Sequence, residues 1–148
     1  LQDNVLVLPF ALAGSKRLSQ IHYRDLSQGD ALQSMDKSSP FDTMKSQKAH
    51  VFSHLTYALD DLICDYNLMQ PSMIKVDVDG NELAVLEGSR KTLRNAQMIY
   101  FEHSFTDECD AFSNYLIESG FTIKKSCNIY SKTTRELVTG QNQLYEKN

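Results

Sequence analysis

The chain has 148 residues, of which 41% are hydrophobic and 23% charged, a composition that belongs to a soluble globular protein of one domain. Lys and Arg number 15 against 19 Asp and Glu, a formal net charge of -4, so there is no overall basic footprint for nucleic acid. No run of about 18 apolar residues is present to span a membrane.

The chain opens on Leu1 rather than Met and lacks the charged, apolar, small-residue order of a signal peptide, so a cytoplasmic protein is expected. An apolar run, "NVLVLPFALAG", begins almost at once, as it would in a fragment of a longer protein. Val5, Val7 and Pro9 alternate with Leu6, Leu8 and Phe10, which predicts a strand covered on both faces. After the turn at Gly14, "RLSQIHYRDL" predicts a more exposed second strand. Residues 27–50 are polar, broken by Pro40 and almost without periodicity, and read as a mobile surface excursion or substrate lid.

Leu55, Leu59, Leu62 and Ile63 in "LTYALDDLICDYNL" stand at helical spacing, with the acidic pair Asp60 and Asp61 and a stop at Pro71. "SMIKVDV" reads as a strand and "NELAVLEGSRKTLRNA" as one helix, with Gly80 in the turn between them. "QMIYFEH" is a further strand, and "TDECDAFSNYLIESG" a helix capped by Thr106 or Asp107 and stopped by Gly120. "FTIKKSCNIYS" and a last strand or hairpin around Gly140 complete the chain. Cys64, Cys109 and Cys127 show no C-x-x-C spacing and are expected to be reduced and mostly packed. Strand alternating with helix predicts an α/β fold with a parallel sheet, whose ligand crevice lies outside the carboxyl ends of the strands.

Asp77, Asp79 and Glu82 crowd one such strand end. Ile74, Val76 and Val78 share one face of the strand and Lys75 and Asp77 the other. The plainest reading has Asp79 or Asn81 capping the helix and Asp77 paired with Lys75 or a backbone amide. A calcium loop is excluded, because Gly80 stands fourth rather than sixth in the acidic pattern. An Asp-x-Asp metal site for a nucleotide sugar, through Asp77 and Asp79, and a cationic or hydroxyl-bearing ligand at the sheet edge both remain open. His22, His50 and His54 have no metal-ligand spacing.

"MIKVDVDGNELAVLEGSRKTL", followed by a strand ending in "FEH", resembles the central signature of the FkbM-type family of S-adenosylmethionine-dependent methyltransferases. That signature usually runs I-K-[ILV]-D-[VI]-E-G-x-E, then V-L-x-G and T-L. Lys75, Asp77, Gly80, Glu82, Val85, Leu86, Gly88 and Leu93 match it directly, and Asp79 stands where Glu is usual. "YALDDL" is similar to the family's T-L-D-D-L element and "PFALAG" to the end of its third strand; the Gly-rich cofactor loop is absent.

The resemblance implies a Rossmann-like methyltransferase sheet, mostly parallel with helices on both faces, here a single partial domain over 1–148 that lacks the first two strands. The first strand would then re-pair beside "MIKVDV", pair with a second copy as a homodimer, or belong to a longer protein. It further implies S-adenosylmethionine as cofactor and a small-molecule acceptor, most often a hydroxyl. Asp77 would hold the cofactor's positive end, and Ala11 and Leu12 would border its adenine. Asp79, Glu82, Glu102 and His103 would orient the acceptor or take its proton, His being suited by an ordinary pKa of about 6.5. A non-catalytic or split interaction module of the same fold is the alternative.

Overall fold

The computed structural model describes residues 5–23, 26, 34–35, 50–78, 81–103, 107–130 and 137–148. Among the described residues eight strands form two four-stranded sheets. The first joins β1 (Ala11–Leu12), β2 (Arg17–Tyr23), β3 (Ser34–Met35) and β4 (His50–Tyr57) in the order β1-β4-β2-β3. The second joins β5 (Met73–Val76), β6 (Met98–His103), β7 (Phe121–Tyr130) and β8 (Leu137–Lys147) in the order β5-β6-β8-β7. The helices are α1 (Leu59–Asp65), α2 (Glu82–Glu87), α3 (Arg90–Asn95) and α4 (Asp107–Glu118).

Only β1·β4 and β5·β6 pair parallel among the described residues, and the other ladders run antiparallel. The fold is therefore α/β with mixed sheets, not a mostly parallel one. Among the described residues, helices do not cover both faces of the second sheet either. Its core face carries Val76, Ile99, Phe101, Phe121 and Tyr145, against which α2, α3 and α4 place Leu86, Leu93, Phe112 and Leu116. Phe101 and Phe112 stack face to face, and the buried Tyr145 satisfies its hydroxyl on Ser113 and Gln143. The opposite face bears Lys75, Asp77, Tyr100 and Glu102, exposed or half-buried.

Several elements differ from the sequence reading. Val5, Leu6 and Val7 are exposed and outside any strand, so the two-sided burial predicted for this run is absent; alternation shows where apolar side chains point, not what covers them. Instead of re-pairing beside β5, β1 pairs with β4. Leu55 belongs to β4, and the helix begins only at Leu59, because Thr56 sits buried in the ladder with its hydroxyl on the Ser15 and Arg17 carbonyls. Of the strand or hairpin expected around Gly140 the strand is formed: Gly140 lies in β8, where the pairing with β7 shifts register between Gln141 and Leu137. The excursion at 27–50 lies outside the described residues except for β3 and His50. Cys64 and Cys127 are exposed rather than packed.

The single helix expected from Asn81 to Ala96 is two. A Cβ on Gly88 would stand 2.4 Å from the Ala13 carbonyl oxygen and 3.1 Å from Ala58, so only glycine allows α2 to close on the first sheet here. The break leaves the first turn of α3 without local acceptors, and Asp60 of α1 provides them: its carboxylate accepts the Lys91 N–H, the Thr92 N–H and the Thr92 hydroxyl. At the other ends of α3 and α4 the Lys147 ammonium donates to the carbonyls of Leu93 and Ser119, a cation where the helix dipole favours one. Gly120, at φ +88, turns the chain out of α4.

Candidate active site

The alternation in β5 is as the sequence predicts. Val76 is buried and Ile74 and Val78 pack against the core, so Lys75 and Asp77 project from the opposite face. There the Lys75 ammonium bonds the Asp77 carboxylate, the pairing that the plainest sequence reading gives. The bond to Asp77 raises the Lys75 pKa above its ordinary value, assisted by the charges of Asp77 and Glu102. Both side chains remain about half exposed, so the pair contributes little to stability.

Lys75 lies opposite Tyr100 and Val76 opposite Phe101, so the parallel register continues to place Asp77 beside Glu102. The two carboxylates stand on one face at the carboxyl ends of adjacent strands. In the next strand Asn142 lies opposite Glu102, hence on the same face. Its Oδ1 is buried and has no hydrogen-bond partner among the described residues. Asp77, Glu102 and the Asn142 amide oxygen put several acceptors at this corner, of which the Lys75 ammonium answers Asp77; the remaining ones suit a ligand bearing an ammonium or hydroxyl groups.

The end of β1 reaches the start of α2. Asn81 occupies the N-cap position of α2 but does not cap it; its Nδ2 donates to the Leu12 carbonyl at 3.1 Å and approaches Met35 Sδ at 3.6 Å. Leu12, half-buried like Ala11, is thereby tied to the residue that precedes Glu82, the first residue of α2. The cap expected from Asn81 is not formed: its Oδ1 accepts no N–H of the first helical turn, and its Nδ2 donates to β1.

Of the residues singled out in the sequence, the structure thus brings Asp77 and Glu102 together and links Leu12 to the helix that Glu82 begins. Asp79 and Gly80 lie outside the described residues. His103 closes β6 opposite Gln141, and its side chain falls outside the described part of the structure. The same holds for Thr106 and the Asp107 side chain, candidates for capping α4. Among the described residues no group of three His, Cys, Asp or Glu could hold a metal ion. His54 shares a hydrogen bond with the Tyr23 hydroxyl at 3.0 Å.

Asn142 and the Asn81–Leu12 link escape a reading of the sequence. Period-two alternation from Glu102 gives its neighbours on β6 but not the strand opposite, and the Leu12 contact spans 69 positions.

The second sheet thus carries acidic residues at the carboxyl ends of β5 and β6 on one face and a helix layer on the other, within an α/β protein. Residues 1–123 match the family model described as the methyltransferase FkbM domain, and the chain belongs to that family. No curated protein and no solved structure gives a match. No helix among the described residues is long and apolar enough to cross a membrane.

Proposed function

We propose that this chain takes part in S-adenosylmethionine-dependent methyl transfer to a hydroxyl of a small metabolite or sugar. The observation that carries the reading is the Asp77–Glu102 neighbourhood at the tips of β5 and β6, with the unpaired Asn142 Oδ1 beside it. The acceptor set fits the cofactor, whose ammonium and sulfonium are both cationic and whose amino group brings N–H donors beyond those of Lys75. When bound, the cofactor supplies an electrophilic methyl group.

In this reading Asp77 holds the ammonium, and Ala11 and Leu12 border the adenine. Glu102, with Asp79, Glu82 and His103, orients the acceptor hydroxyl or receives its proton. Alignment of the acceptor with the methyl carbon and sulfur is the main task, because positioning removes most of the entropy that such a displacement otherwise costs. The homodimer and the cytoplasmic setting expected from the sequence belong to this proposal as well.

Isothermal titration of the chain with S-adenosylmethionine tests it. Heat that is lost in Asp77→Asn supports the role of Asp77; binding that survives the exchange removes it. An absence of heat with the wild-type chain favours the interaction module of the same fold.

A further inference from the structure

The N-cap of a helix is ordinarily the place where an Asn side chain accepts the N–H of the second or third helical residue. Asn81 forgoes that bond and turns its amide outward as a donor. Its partners, the Leu12 carbonyl and the Met35 thioether, belong to β1 and β3, which are the two edges of the first sheet. Asn81 itself follows β5 in the second sheet, and among the described residues no strand ladder joins β1 to β5. One amide therefore links the carboxyl end of β1 to the residue at the start of α2, which follows β5 in the chain.

Other contacts already hold the two sheets together. Gly88 of the α2–α3 break closes on Ala13 and Ala58, its carbonyl accepts the Asp60 N–H at 3.0 Å, and the Asp60 carboxylate caps α3. These lie at the far end of α2 from Asn81. The link to Leu12 is thus made at the start of α2, while the packing of Ala13 is made at its end.

We infer that Asn81 is a positioning residue, which fixes the distance between Leu12 and Asp77 and so sets cofactor affinity without touching cofactor or acceptor. The inference rests on the reading of Leu12 and Asp77 given above. Loss of its amide releases the Leu12 carbonyl from the start of α2, while the β4 ladder and the contact of Gly88 with Ala13 keep β1 in the sheet and the fold intact. An amide one methylene longer retains the donor and restores part of the alignment.

The test is titration with S-adenosylmethionine, beside thermal melts, of the wild-type chain, Asn81→Ala, Asn81→Gln and Asp60→Ala. The expected result is affinity lower by roughly three- to tenfold in Asn81→Ala, from one lost hydrogen bond. Asn81→Gln should recover part of it, and Asp60→Ala should melt earlier with affinity unchanged. Wild-type affinity in Asn81→Ala overturns the inference alone, as does an equal loss in Asp60→Ala or a melt of Asn81→Ala as low as that of Asp60→Ala. A wild-type chain that binds none of the cofactor overturns the functional reading, and this inference with it.

Discussion

Asp60 and Thr92 are joined twice, through the Thr92 N–H at 2.8 Å and its hydroxyl at 2.7 Å, across the junction of α1 and α3. The first acidic residue of "YALDDL" is thereby a remote helix cap, and Thr92, itself buried, has no water to replace it. Asp60→Ala should cost about 1–3 kcal/mol, the penalty of leaving buried donors unpaired. Denaturant unfolding should show it, and Asp60→Asn, which keeps one acceptor oxygen, should fall between the two. A midpoint for Asp60→Ala equal to that of the wild type would deny the cap.

Gly88 has a different reason to be glycine. Its backbone is ordinary helical, at φ -74, so conformational freedom is not the issue. Space is: a methyl added there would approach the backbone oxygen of Ala13 to 2.4 Å, and neither group is the end of a flexible chain. Gly88→Ala should destabilise by about 1–3 kcal/mol through overpacking. Gly14→Ala, whose new methyl would meet the Ala84 oxygen at 3.4 Å, should cost far less. Paired melts of the two variants check the contrast, and equal losses would count against it.

How much of the fold and site is legible in the sequence depends on whether the information is local. β5 and β6 can be read because Ile74, Val76 and Val78 alternate with Lys75 and Asp77, and that same period predicts the side of the sheet on which Asp77 lies. The β4–α1 boundary is harder, because Leu55 happens to extend the helical spacing of Leu59, Leu62 and Ile63 into a strand. Nothing near Gly88 announces that Ala13 and Ala58 press on it, so the sequence reads as one helix where contact from 30 and more positions away makes two. The site follows the same rule: Asp77 and Glu102 are visible as strand ends, whereas Asn81 meeting Leu12 and Asn142 standing opposite Glu102 depend on pairing that a single sequence does not reveal.

The Lys75–Asp77 pair gives a pH prediction with a definite sign. A folded-state pKa raised above the ordinary lysine value means that the pair's stabilisation is complete below the unfolded pKa and fades as pH rises through the folded one. From about pH 6 to about pH 9 the lysine is charged in both states, so the difference in melting temperature between the wild type and Lys75→Met should be small and constant. A gap that opens within that range would contradict the assignment. The ammonium also remains beside Asp77 wherever methyl transfer would be assayed, so part of the carboxylate's charge is already answered by Lys75.

That partial neutralisation sharpens the expectation for Asp77 itself. Its side chain is half exposed and its bond to Lys75 is a surface one, so Asp77→Asn should leave stability within about 0.5 kcal/mol of wild type. If the carboxylate holds the cofactor ammonium, the same exchange removes a charge-assisted bond and should weaken binding by roughly ten- to a hundredfold. Glu102→Gln separates the two halves of the corner: placed beside Asp77 but on the acceptor side in the proposed arrangement, it should depress turnover more than cofactor affinity. Titration calorimetry and initial rates on both variants decide the assignment. Should Glu102→Gln lose affinity and Asp77→Asn only turnover, the roles of the two carboxylates would be exchanged, with the register of β5 on β6 still accounting for why they act as neighbours.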